Sequence, residues 1–226
     1  MLGILLLSGI LFGILNSLPA LEKPDYLTTL STMETRVLTA VFFQAAMAVV
    51  YVCVAALFYP MVKQHSEGLA AGYLGFRIIG AAFLFAGIGS LLLLLWLSRS
   101  YVSAGQTGTA YFTTAGELLR RGRDILNHIG MILPWSTGGL ILYYTLYRTR
   151  HIPRWLAVWG LIGSALTLLA TLMLMLDIIQ IVTPAYFVLN GPTALFEVTL
   201  SLFLIIRGFS PVYPIDLKSQ EKGREK

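Results

Sequence analysis

Residues 69–97 read LAAGYLGFRIIGAAFLFAGIGSLLLLLWL, a run whose only charge is Arg77. A bilayer core about 30 Å thick needs roughly 20 mostly apolar residues in a helix, so this run is long enough to cross one. The whole chain has the same character. Of its 226 residues 57% are hydrophobic and 12% charged, and the mean hydropathy is +0.76. Soluble domains carry about 25% charged residues, and a soluble protein of this size could not hide so much apolar surface. Lipid is the solvent that suits this composition.

Five further apolar segments flank that run, at about 2–18, 37–62, 125–146, 155–176 and 192–206. Together they predict an all-α, polytopic membrane bundle of about six transmembrane helices. Residues 1–208 form its single domain, and the charged stretch 209–226 is expected to be a disordered cytoplasmic tail. The first segment is short, and a cleaved signal peptide is its alternative, although no positively charged stretch precedes it. With both termini cytoplasmic, Lys63, Arg148, Arg150, Arg154, Arg207 and the tail lysines fall inside, as the positive-inside bias requires. Lys23, Arg36, Arg99, Arg120, Arg121 and Arg123 fall outside in this arrangement. Glu117 and Asp124 stand at helical spacings that allow Glu117–Arg121 and Arg120–Asp124 pairs, which suggests an interfacial helix leading into the fourth span. Residues 19–36 look like a structured outer loop.

The net charge of +5 does not indicate nucleic-acid binding, because the basic residues are scattered through short loops and the tail rather than along one face. The single cysteine, Cys53, lies in an apolar run and has no intramolecular disulfide partner. No soluble catalytic domain fits between the spans. The chain has no Gly-x-Ser-x-Gly elbow, no His-Glu-x-x-His and no phosphate loop. No cofactor is expected; the expected partners are the bilayer itself and a small-molecule or lipid ligand, in a bacterial inner or plasma membrane.

Several short blocks form an ordered set. They are Leu57-Phe58-Tyr59-Pro60, Gly75-Phe76-Arg77, His128, the stretch Arg148 to Trp155 with Trp159-Gly160, and Glu197 with Arg207-Gly208. The set resembles the domain of unknown function 4386 family of bacterial integral membrane proteins, from about the second span to Gly208. The resemblance implies a membrane helical bundle without an established activity, and it gives weight to Arg77, His128 and Glu197. Many relatives would carry an acidic residue a few positions after the arginine, where this chain has Gly80, so Arg77 must find its partner on another helix.

An ionisable group within a span costs about 2.5–3.5 kcal/mol on insertion scales and needs a reason. Arg77 and Glu197 are the two clear cases. Counted at 1.5 Å per residue from the cytoplasmic ends of their helices, they lie at depths of roughly 12 and 15 Å, and they are expected to pair. Tyr73, one turn before Arg77, is placed to join them. Such a pair either locks the third and sixth spans together or serves as a ligand site, with Glu197 the resting counter-ion of an anion receptor. A second polar group gathers at the outer surface: Asp124 and His128 on one face of the fourth span, Asp177 ending the fifth, and Asn190-Gly191-Pro192 opening the sixth. It reads either as a solvated helix-end cluster or as an acid–base or metal site, though one histidine and two carboxylates are a thin set for zinc. His65 and His151 read as solvated loop histidines, and Pro134 as a kink after Leu133. The leading expectation is thus a non-enzymatic bundle that binds or moves a small or lipid-like ligand. A membrane-embedded enzyme using His128 and a purely structural or accessory subunit are the alternatives.

Overall fold

The computed structural model describes residues 1–105 and 108–209. Those residues form an all-helical bundle without strands. Its helices are α1 (Leu2–Leu15), α2 (Tyr26–Thr32), α3 (Glu34–His65), α4 (Glu67–Ser103), α5 (Thr109–Asp124), α6 (Ile132–Thr149), α7 (Arg154–Met175) and α8 (Pro184–Ile206). A 3₁₀ turn, Pro19–Glu22, precedes α2, and a π turn, Ile125–Gly130, joins α5 to α6. Five of the helical stretches are long and apolar enough to cross a membrane: α3, α4, α5 continuing into α6, α7 and α8. The apolar α1 is shorter, ending at Leu15 rather than Leu18. The chain is a multi-pass membrane protein.

The long helices pack side by side in a closed ring, in the order α1, α3, α4, α6, α7, α8 and back to α1. Glycines set the closest approaches. A Cβ on Gly3 would stand 2.5 Å from the Ser201 carbonyl oxygen of α8, and one on Gly9 would stand 2.7 Å from the Tyr51 ring of α3. Helices without side chains at the contact can bring their backbones together, which is the main source of association between helices in lipid. The α1 segment is therefore seated between α3 and α8 as a part of the bundle. Across the ring, α3 meets α6 where the Tyr51 and Trp135 rings pack at 4.1 Å between centroids, tilted by 42°.

The tallest pieces are α3 and α4, which form a hairpin turned at Ser66, whose hydroxyl accepts from the Leu69 N–H. At about 1.5 Å per residue both exceed the bilayer core, so their far ends project beyond it. There the expected outer loop folds into the 3₁₀ turn and α2, which pack with α5 on the upper part of α4 through Leu27, Leu30, Leu94 and Tyr101. The Arg36 guanidinium donates to the Leu15 and Ser17 carbonyls at 2.8 and 2.7 Å, supplying partners to the open carbonyl end of α1. Arg99 pairs with Glu34 between the upper ends of α4 and α3.

The connection between α4 and α5 is short, with α4 running on to Ser103 and α5 beginning at Thr109. As expected, α5 carries the Glu117–Arg121 and Arg120–Asp124 pairs and leads into the fourth span; it packs against α4 and continues through the π turn into α6. Two expectations change here. Pro134 does not end that helix. It sits in the first turn of α6, and the π turn just before it, with Met131 N–H bonded to the Leu126 carbonyl, absorbs the register change that a proline imposes. Last, α8 opens not at Pro192 but at Pro184, where Thr183 caps the Tyr186 N–H, and Pro192 lies inside the helix. The tail beyond Phe209 lies outside the described residues.

Candidate membrane-embedded charge site

Because alternate ring helices run in opposite directions, the amino ends of α4 and α7 share one side with the carboxyl ends of α3, α6 and α8. Lys63, Arg148, Arg154 and Arg207 stand at this side. Arg77 stands ten residues into α4 and Glu197 nine before the end of α8, so their backbones lie at about 15 and 14 Å from that side. The depths agree, as the sequence suggested.

The contact between them differs from the expectation. Among the described residues every ion pair is made by other groups, and neither Arg77 nor Glu197 takes part in one. The Arg77 guanidinium instead lies flat over the Trp135 ring of α6, 3.6 Å from its centroid, with the Tyr73 ring at 5.4 Å. Arg77 is only 4% exposed, and its Nε has no hydrogen-bond partner. The Tyr73 hydroxyl is likewise buried without a partner. Tyr143, also buried, faces the guanidinium from α6. The Trp135 indole N–H is turned toward the Glu197 carboxyl, which lies within electrostatic reach of Arg77 and Tyr51.

The indole thus meets both charges and offers each a different part of itself. Its electron-rich face takes the cation, and its only donor, Nε1–H, points to the anion. Tyr51 packs against the ring, tilted by 42°. Below it, Tyr143 packs edge-on against Phe196 at 4.7 Å, and both rings close over Gly160 of α7. The partner that Arg77 finds on another helix is an aromatic ring rather than a carboxylate.

The model of the domain of unknown function 4386 family matches residues 1–208, nearly the whole chain. The chain belongs to this family. No curated protein and no solved structure matches it.

In this member of the 4386 family the expected outer cluster does not assemble. His128 lies in the π turn, and its Nδ1 meets the Tyr186 hydroxyl of α8 at 2.9 Å. Asp124 turns the other way, toward Arg123 at 3.5 Å and Arg120 at 3.9 Å. Asp177 is exposed beyond the end of α7, with a backbone φ of 55°, and the Asn190 amide donates to the Tyr186 carbonyl of its own helix. The π turn is the reason: it breaks the i,i+4 alignment that would have stacked Asp124 on His128. No group of three or more metal-ligating side chains occurs among the described residues. The His128–Asp124–Asp177 arrangement is therefore not formed. The histidine reading also needs correction at His151, which is buried and joined to the Thr149 hydroxyl rather than solvated.

The outer charges form a different network. Glu117 accepts from Arg120 at 2.9 Å and Arg121 at 2.7 Å, and Arg120 also reaches Glu22 at 3.6 Å. The hydrogen bond from Arg120 is the main force that holds Glu117 down to about 2, with Arg121 adding to it and partial burial opposing. A carboxylate depressed on folding adds stability above its ordinary pKa and loses it as pH falls toward the folded value. The protection of α5 amides, taken relative to the intrinsic exchange rate at each pH, is expected to fall between about pH 5 and pH 2, and Glu117→Gln to remove most of that dependence. Equal slopes in wild type and variant would show that the network does not hold α5.

One buried polar group escaped the sequence reading. The Gln44 amide of α3 donates to the Leu84 carbonyl at 2.8 Å and to Asn127 Oδ1 at 3.1 Å, beside Gly87. It pins the π turn to the α3–α4 hairpin. A glutamine in an apolar run and an asparagine near a helix junction give no sign that they will meet.

Proposed function

We propose that the protein is a bacterial plasma-membrane bundle, with both termini cytoplasmic, that binds or moves a small or lipid-like ligand through an anionic group received by Arg77. One observation carries this reading: a guanidinium deep in the ring that has an aromatic face beneath it, a free Nε–H and a neighbouring free hydroxyl, but no carboxylate in contact. A charge buried without a counter-charge is costly, and a guanidinium offers five donors in a fixed fork suited to carboxylate or phosphate oxygens. A ligand anion supplies what the fold withholds. The α4–α6 contact through Arg77 and Trp135 also favours a second reading, in which the cation only ties those helices together.

Mass spectrometry of small molecules and lipids that co-purify with gently extracted wild-type and Arg77→Ala protein separates the two. A compound with an anionic group, retained by the wild type and lost from a folded variant, is expected. Identical profiles from two folded proteins would leave only the structural tie.

A further inference from the structure

We infer that the ligand of this site is a zwitterion, with an oxyanion for Arg77 and an ammonium for Glu197. The inference rests on the proposed anion site and adds the second charge. Opposite charges about 4 Å apart attract by about 4 kcal/mol at an effective dielectric constant of 20, and the attraction halves when the distance doubles. Arg77 and Glu197 stand at matched depth on α4 and α8, which are not neighbours in the ring. Trp135 meets both, its face under Arg77 at 3.6 Å and its N–H turned to the Glu197 carboxyl. The Tyr51 ring packs against it, tilted by 42° with centroids 4.1 Å apart. The fold therefore presents two opposite charges to one indole without joining them in an ion pair.

The surroundings of each charge match a different half of a ligand. Beside Arg77 are unpartnered donors, its own Nε–H and the Tyr73 hydroxyl, which suit an oxyanion. The Trp135 N–H is turned to Glu197, and Tyr51 and Tyr143 lie within its electrostatic reach. An ammonium is stabilised jointly by a carboxylate and by aromatic faces. A lone anion would satisfy Arg77 and leave Glu197 without a counter-charge, and a lone cation would do the reverse. Only a molecule carrying both neutralises both. A soluble betaine or amino acid has this chemistry, and so does a phosphoethanolamine headgroup.

The test uses the full-length protein in detergent, with thermal melting as readout and glycine betaine, acetate and choline as probes, each added alone. In a separate arm, native mass spectrometry records retention of phosphatidylethanolamine against phosphatidylglycerol. A betaine shift larger than the acetate and choline shifts combined is expected if the source is soluble, and selective retention of phosphatidylethanolamine if it is a lipid. Glu197→Gln is expected to weaken the preferred zwitterion about tenfold or more, the loss of one charge-assisted contact, while Arg77-dependent binding of the anion persists. Should Glu197→Gln not fold, the wild-type comparison of probes still decides. Acetate or phosphatidylglycerol bound as well as the zwitterion would overturn the inference and leave the anion site standing. No Arg77-dependent binding of any probe or lipid would remove both.

Discussion

Arg77→Met is expected to fold and to melt within about 1 kcal/mol of the wild type, while losing the ligand. The substitution removes a cation–π contact worth up to about 2 kcal/mol when desolvated. It also removes the cost of a charge buried without a partner, and these two changes oppose one another. Breaking a closed ion pair has a different signature: the stranded partner then costs about 3–5 kcal/mol. Denaturant titration of the two proteins reads the difference directly. A loss in the ion-pair range, reversed by Arg77→Glu combined with Glu197→Arg, would mean that the two residues do lock α4 to α8.

Gly160→Leu should have the opposite character, destabilising the bundle and the site together. A Cβ at this position would stand 2.6 Å from Phe196 Cζ and 2.9 Å from Tyr143 Cδ2. Both rings are buried and packed on one another, so neither can step aside cheaply. Overpacking of this kind costs about 1–3 kcal/mol, occasionally more. Because Tyr143 also faces Arg77, displaced rings are expected to lower ligand retention even where the protein remains folded. Gly89→Leu is the control: it lies on an exposed face of α4 with nothing within 4 Å of its Cβ, and about 0.5 kcal/mol or less is expected there. Equal losses at the two positions would show that the Phe196–Tyr143 packing does not support the site.

The spans were legible because apolar length in lipid is a direct physical requirement. The runs at 37–62 and 69–97 lie within α3 and α4, and 155–176 nearly coincides with α7. Their extensions were not legible, since Glu34 and Ser103 stand beyond the apolar core and are held by packing against α2 and α5. The start of α8 was misread because Asn190-Gly191-Pro192 has the grammar of a helix start in water. In a membrane helix an internal proline is tolerated when neighbours satisfy the freed groups, and the Trp159 indole does donate to the Pro192 carbonyl at 3.0 Å. Thr183-Pro184 carries an equally good cap-and-proline signal, seven residues upstream of the chosen one.

At the site, charge was the visible part. Arg77 and Glu197 stand out because an ionisable residue in a span demands a reason, and Tyr73 follows from its helical spacing. Nothing in the sequence marks Trp135, Tyr51 or Tyr143 as parts of the site. An aromatic residue in an apolar run faces lipid as readily as the bundle interior, and only the helix contacts decide which. The same holds for Asp124 and His128, whose shared face depended on a regular helix that the π turn interrupts.

The central claim is that Arg77 and Glu197 each meet the Trp135 indole, rather than one another, and receive a ligand there. A crystal structure of the wild type grown from a lipidic mesophase tests it most directly. The expected result is a guanidinium flat on the Trp135 ring, with density foreign to the chain against its free edge and close to Glu197. A guanidinium and carboxylate in direct contact, with Trp135 turned aside and no other density between the helices, would contradict it.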